Sequence, residues 1–228
     1  MPNTRKISAI IYDLDDTMVN SDPLHVRAWE ELLKEYGHNW SDIPEGVRAS
    51  YLGMRVVDIC NAIIDYLNLN IDRDEFYRRR IELFLEIVEK ELEPMPGLLE
   101  SLERFKNAGF KMAVASSGAQ KYIDLVLDKF SIRNYFDAIV TGDDVKIGKP
   151  HPDAYLITAE KLHVDPAACL VLEDATKGIQ SAKAAGCMCI AIRNPNVPPQ
   201  DFTEADVVVD RIDDITLKKI EELVKQKD

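Results

Sequence analysis

The sequence predicts an α/β protein: a doubly wound parallel sheet with an all-helical insert between its first strand and the rest. Three observations predict it. Beyond residue 95, short apolar runs alternate with helical stripes, the pattern of parallel strands joined by helical crossovers. From 22 to 94 helical stripes recur without a convincing strand. Ahead of both, Ile7 to Tyr12 is short, rich in β-branched residues and nearly all apolar, as a strand buried on both faces must be.

The elements follow in order. The first strand runs directly into Asp13-Leu14-Asp15-Asp16-Thr17. Trp29, Leu32, Leu33 and Tyr36 then share one helical face. Val56, Cys60, Ile63 and Leu67 form a second stripe, and Phe76, Phe84, Ile87 and Val88 contribute to a third. The hinges are expected after Thr17 and at the turn Pro94-Met95-Pro96-Gly97. The expected division is therefore a sheet domain of residues 1–21 and 95–228 and a helical domain of 22–94. Within the sheet domain, strands are expected at Phe110 to Ala115, Ala138 to Val140, Cys169 to Leu172, Met188 to Ile192 and Val207 to Val209. Ile123, Val126, Leu127 and Phe130 mark one intervening helix; Tyr155, Ala159 and Leu162 mark another. Gly186 stands where a helix ending at Ala185 needs a residue of left-handed conformation.

Composition narrows the function. At 228 residues and 46% hydrophobic, the chain has material for a real core. A formal charge of -12 argues against nucleic acid or an anionic membrane as a general partner, since both need basic surface. No run is long and apolar enough to cross a bilayer, and the first residues lack the apolar core of a signal peptide, so a cytoplasmic protein is expected. Cys60, Cys169, Cys187 and Cys189 include no Cys-x-x-Cys pair and read as core thiols. Arg78, Arg79 and Arg80 read as a solvated helix face.

The chemistry gathers at strand ends, where open α/β sheets bind ligands. Asp13 and Asp15 are spaced to face the same side if the chain stays extended. Carboxylates held together repel, and a hard cation such as Mg²⁺, which usually arrives with phosphate, relieves them. Ser116 follows the strand ending at Ala115, and Glu173-Asp174 follow the one ending at Leu172. Lys149 stands in a loop stiffened by Pro150 and Pro152. Each has an ordinary alternative: an acidic turn, a helix-capping serine, a capping acidic pair, a solvated lysine. Together they supply the parts for phosphoryl transfer. These are a carboxylate nucleophile, a second carboxylate for protons, further carboxylates for Mg²⁺, and a hydroxyl and an ammonium for phosphate.

With these motifs in this order, the chain resembles the haloacid dehalogenase superfamily over essentially its whole length. The closer resemblance is to the β-phosphoglucomutase-like and sugar-phosphate phosphatases, whose Rossmann-like core carries a helical cap. Asp13-Leu14-Asp15-Asp16-Thr17 matches the first motif, Ser116 the second, Lys149 the third and Glu173-Asp174 the fourth. The resemblance implies that Asp13 becomes an aspartyl phosphate and that Asp15 protonates the leaving oxygen and then deprotonates water. It implies Mg²⁺ held by Asp13, the backbone carbonyl of Asp15 and Asp174, with Glu173 nearby or bound through water. Ser116 and Lys149 would grip the phosphoryl group, and Thr17 would support the first motif. Asp16 stands where glycine is common and receives no catalytic role. In the cap, His25 and Arg55, which follows the loop at Gly53, resemble residues near the substrate, while Trp29 is read as packing. The implied activity is a Mg²⁺-dependent phosphatase acting on a small phosphorylated metabolite such as a hexose phosphate. A β-phosphoglucomutase would use the same core residues. A phospho-aspartate receiver domain shares the acidic cluster, hydroxyl and lysine, but is shorter, lacks the insert and places its acceptor on a later strand. The sequence sets neither the substrate nor the oligomeric state, and a monomer is consistent with it.

Overall fold

The structure, a computed structural model, describes residues 6–51, 54–197 and 199–227. Contacts divide the chain into two compact units, one of Met1–Val19 with Pro94–Asp228 and one of Asn20–Glu93. Among the described residues the strands are β1 (Ala9–Tyr12), β2 (Lys111–Ala115), β3 (Ala138–Val140), β4 (Cys169–Glu173), β5 (Met188–Ile192) and β6 (Val207–Val209). The helices are α1 (Asp22–Glu35), α2 (Glu45–Ser50), α3 (Val56–Leu67), α4 (Arg73–Glu91), α5 (Leu98–Asn107), α6 (Gln120–Lys129), α7 (Asp153–Leu162), α8 (Thr176–Ala184) and α9 (Leu217–Lys227). None of these helices is long and apolar enough to cross a membrane.

The strands of the first unit form one parallel sheet in the order β3-β2-β1-β4-β5-β6. Every residue of β1, β4 and β5 is buried, which explains why those strands read as unbroken apolar runs instead of alternating ones. One sheet face packs Ala9, Ile11, Ala113, Ala115, Val171 and Ala191 with Tyr155 and Ala159 of α7 and Ile179 and Ala182 of α8. Small side chains on that face let the helices lie close; each buried isoleucine or valine contributes about 1.5–3 kcal/mol of transfer free energy. Gly186, with φ +84°, follows Ala185 at the end of α8, a left-handed turn that glycine adopts without penalty.

The chain builds outward from β1 through β2 to β3, then returns to place β4 on the other side of β1. The order therefore reverses between β1 and β4, a topological switch point at which the loops diverge and leave a crevice. Register places Tyr12 beside Leu172, and the Asp13 N–H continues the ladder to the Leu172 carbonyl at 3.0 Å. Three details differ from expectation, and one is that β2 starts at Lys111 instead of Phe110. The first strand starts at Ala9 instead of Ile7, because pairing begins there although Ile7 is buried, and Glu173 belongs to β4 instead of the loop after it.

The second unit is all-helical among the described residues. Its core gathers Trp29, Leu32 and Leu33 of α1, Cys60, Ile63 and Ile64 of α3, and Phe76 and Leu83 of α4, with Trp40 stacked on Trp29 at 5.9 Å. The short α2 escaped the sequence reading because none of its residues is buried, so it carries no stripe.

Arg80 corrects the expectation of a solvated arginine face. Arg78 is exposed and Arg79 pairs with Glu35, but Arg80 is 0% exposed. Its guanidinium lies over Trp29 at 4.2 Å and Phe84 at 5.1 Å, and Nη2 lies 2.9 Å from His25 Nδ1. Nε and Nη1 have no hydrogen-bond partner among the described residues. The reason is periodicity: positions 76, 80 and 84 fall on one face of α4, and Phe76 and Phe84 carry Arg80 inward with them.

Candidate active site

The candidate residues of the sheet unit converge at the carboxyl ends of β1, β2 and β4. Asp13, directly after β1, is 8% exposed. The Lys149 ammonium donates to Asp13 Oδ1 at 2.5 Å, to Glu173 Oε1 at 2.7 Å and to the Ala115 carbonyl at 3.2 Å. One lysine thus ties together the ends of β1, β2 and β4. Glu173 accepts further bonds from the Tyr155 hydroxyl at 2.7 Å and from the N–H groups of Asp174 at 3.0 Å and Ala175 at 3.1 Å. Its carboxylate lies against Gly178, where a Cβ would come within 1.7 Å of Oε1. Thr17, fully buried, donates to Asp174 Oδ1 at 3.1 Å.

Asp13, Glu173 and Asp174 each offer an oxygen within 4.8 Å of the others, all from buried side chains. Burial pushes the Asp13 carboxyl well above its ordinary value; Lys149 opposes this, while Glu173 and Asp15 add to it. Burial likewise raises Asp174, helped by Glu173, Asp13 and Asp16. Burial works against the Lys149 charge, but Asp13 and Glu173 outweigh it and hold the ammonium protonated well above its usual range. Three crowded carboxylates against one bonded ammonium leave a pocket of excess negative charge, with hard oxygen donors facing each other. Such a set fits a divalent cation of the Mg²⁺ kind.

Ser116 closes β2 and is 2% exposed. It does not cap the next helix, which starts at Gln120; instead its Oγ accepts the Gly118 N–H at 3.0 Å. The Asp15 carboxylate stands outside the three-carboxylate group and accepts the Tyr122 hydroxyl at 2.6 Å. Asp16 has φ +58°, the left-handed conformation that glycine takes freely and aspartate tolerates, and Asn194 donates to it at 3.2 Å.

His25 and Arg55 belong to the helical unit. His25 stacks on Phe84 at 3.9 Å and meets Arg80, and burial, with the nearby guanidinium, pushes its imidazole well below its ordinary value. Arg55 is exposed and grips Asp58 bidentately at 2.7 and 3.0 Å; Gly53 lies outside the described residues. Sequence reasoning missed Tyr122, Tyr155, Gly178 and Arg80. Tyr155 carried a signal, because a tyrosine on a core stripe must find an acceptor for its hydroxyl. Tyr122 carried none.

Residues 10–192 match the haloacid dehalogenase-like hydrolases. The chain belongs to this family. As a haloacid dehalogenase-like hydrolase it is 32% identical, over 82% of its length and 97% of the relative's, to the fructose-1-phosphate phosphatase YqaB of Escherichia coli K12. It is 31% identical to hexitol phosphatase B of the same organism, over 96% of the chain and 99% of the relative. Among solved structures it resembles CbbY of Rhodobacter sphaeroides in complex with phosphate, with TM-score 0.82 and 26% identity over 94% of this chain and 99% of that one. Membership in a hydrolase family makes the chain an enzyme and removes the receiver-domain alternative.

Proposed function

We propose that this haloacid dehalogenase-like hydrolase is a Mg²⁺-dependent phosphatase of a small phosphorylated sugar or sugar alcohol, acting through an aspartyl phosphate on Asp13. The observation that carries the reading is the buried group of Asp13, Glu173 and Asp174 bonded to Lys149 at the switch point. A structural ion pair needs one carboxylate for one ammonium; this cluster holds more negative charge than its lysine cancels. The names of the Escherichia coli relatives support the phosphatase and the class of ester.

Asp13 would attack phosphorus with a carboxylate oxygen while the ester oxygen leaves with a proton from Asp15. Asp15 would then take a proton from water as its oxygen attacks the phosphoryl group, and the Asp13–phosphorus bond opens to release phosphate. Lys149 and the Ser116 hydroxyl would hold the transferring group, and Thr17 keeps Asp174 aimed at the site through its 3.1 Å bond. Asp13, Asp174 and the Asp15 carbonyl would hold Mg²⁺. When bound, it cancels the charge that otherwise keeps a phosphate dianion away from these carboxylates. Glu173, with four donors already on its two oxygens, fits a place behind the ion, anchoring Lys149 and the Asp174 backbone. The helical unit acts as the cap, with His25 and Arg55 as candidates for substrate contact.

A panel of fructose 1-phosphate, hexitol phosphates and hexose 6-phosphates, read as released phosphate with Mg²⁺ and with chelator, tests the proposal. Metal-dependent release from at least one ester is expected; none from any ester refutes it. With β-glucose 1-phosphate and a trace of glucose 1,6-bisphosphate, isomerisation that outruns phosphate release would replace the phosphatase by the mutase.

A further inference from the structure

We propose that Tyr122 is a positioning residue for Asp15, setting the direction of the carboxylate that exchanges protons during turnover. The role presupposes that Asp15 is the general acid and base of the proposed phosphatase. Tyr122 lies in the first turn of α6, is 6% exposed, and donates its hydroxyl to Asp15 Oδ1 at 2.6 Å across 107 positions of sequence. The contact is therefore made by the fold and not by the acidic motif itself.

The ring is held in its turn. A Cβ on Gly118 would meet Tyr122 Cδ1 at 2.9 Å, Ser116 Oγ at 3.3 Å and Tyr122 Cε1 at 3.4 Å, so the ring packs against a backbone position that has no side chain. The Gly118 N–H donates to Ser116 Oγ at 3.0 Å. One short loop after β2 thus seats the hydroxyl proposed to hold the phosphoryl group and, through Tyr122, the carboxylate proposed to act on the bridging oxygen.

An aspartate carboxylate turns easily about its terminal torsion. Donation to Oδ1 favours one orientation of the carboxylate, and the proposal places the proton exchange on Oδ2. In the first step the Oδ2 proton passes to the ester oxygen as its bond to phosphorus breaks and the Asp13–phosphorus bond forms. In the second, Oδ2 takes a proton from water as the water oxygen attacks phosphorus and the bond to Asp13 opens. Both transfers need the same oxygen within hydrogen-bond reach of the bridging position. Tyr122 is bonded to Asp15, and the role assigned to it is exercised through that carboxylate.

The experiment compares Tyr122→Phe, Asp15→Asn and the double variant on two esters in Mg²⁺. One is the alkyl ester hydrolysed fastest in the sugar-phosphate panel. The other is 4-nitrophenyl phosphate, whose leaving group departs as a stable anion and needs little protonation. The ratio kcat/KM reads the steps through loss of the leaving group. Tyr122→Phe is expected to lower it about 10-fold on the alkyl ester, a fraction of the roughly 10²–10⁴-fold that general acid–base catalysis supplies, and less than about 3-fold on the aryl ester. KM for the alkyl ester should stay within about 2-fold, and adding Tyr122→Phe to Asp15→Asn should cost nothing further. An equal fall on both esters, wild-type behaviour on both, or a full additional loss in the double variant overturns the proposal. If Asp15→Asn itself keeps kcat/KM on the alkyl ester, the assignment of Asp15 falls first, and Tyr122 loses its role with it.

Discussion

Replacing the proposed nucleophile should make the metal-free protein more stable while destroying its activity. Asp13 faces two carboxylates, Glu173 and Asp174, with oxygens no more than 4.8 Å away. At an effective dielectric of about 20, each such pair repels by about 3.5 kcal/mol, or about 7 together. Lys149 at 2.5 Å returns about 7 kcal/mol on the same scale, so the Coulomb terms nearly cancel. What remains is the cost of taking a carboxylate out of water, several kcal/mol, less the smaller cost of burying the asparagine amide, about 1–3 kcal/mol. Asparagine keeps the shape and removes the charge, and Lys149 retains Glu173 and the Ala115 carbonyl. Asp13→Asn should therefore raise stability at pH 7 in chelator by about 2 kcal/mol, or about 4–8 °C in Tm. The pH dependence has a definite sign. A carboxyl whose folded pKa is raised contributes stability that is complete below the unfolded value, about 3.9, and is lost as pH rises through the folded value. The advantage of Asp13→Asn should thus shrink toward pH 4, and saturating Mg²⁺ should restore the wild type relative to the variant at pH 7. Thermal unfolding followed by circular dichroism, with chelator or Mg²⁺ at pH 4 to 7, reads all of this. A folded Asp13→Asn protein that melts at or below the wild type at pH 7 in chelator refutes the reasoning. So does near-normal hydrolysis by that variant.

Further outcomes follow from the same geometry. Chelator should abolish hydrolysis and Mg²⁺ should restore it, while Asp174→Ala should stay inactive at any Mg²⁺ concentration; undiminished turnover in chelator contradicts the scheme. Gly178→Ala places a Cβ 1.7 Å from Glu173 Oε1 and must dislodge that carboxylate, so activity should fall by about 10²-fold with a destabilisation of about 2–4 kcal/mol, measured by phosphate release and urea unfolding. His25, lowered by burial and then by Arg80, contributes stability that is present above its unfolded value, about 6.5, and lost as pH falls. In an Asp13→Asn background, where the opposing effect of Asp13 is gone, His25→Gln should flatten the loss of Tm between pH 7 and 5 relative to Asp13→Asn alone; an unchanged slope counts against it.

Much of this was legible in the sequence, for a physical reason. Parallel strands covered on both faces must be apolar throughout, so β5 reads off the chain with the limits it has in the fold, and the partly buried edge strands β3 and β6 do so as short apolar runs. The candidate site was legible because Asp13 and Ser116 sit immediately after apolar runs, and Glu173 and Asp174 at the end of one. What stayed hidden falls into two kinds. Arg80 was recoverable: its spacing from Phe76 and Phe84 already fixes its face, but its charge weighed more in the reading than its position. Tyr122 was not recoverable, since nothing local in Gln120-Lys121-Tyr122 distinguishes it from a tyrosine packing a helix, and its partner lies 107 residues away.

The same division explains why Glu173 and Asp174, adjacent in sequence, take different parts. As the last residue of β4, Glu173 is 1% exposed, and its two oxygens meet four donors from Lys149, Tyr155 and two backbone N–H groups. Carboxylate oxygens offer about four acceptor positions, so its capacity is used within the protein. Asp174, one residue further, has left the ladder and accepts the Thr17 hydroxyl on Oδ1. The strand end thus fixes one acid as the anchor that orients Lys149 and the turn into α8. It hands the next acid to the crevice, where its charge is least compensated and a cation would gain most from it.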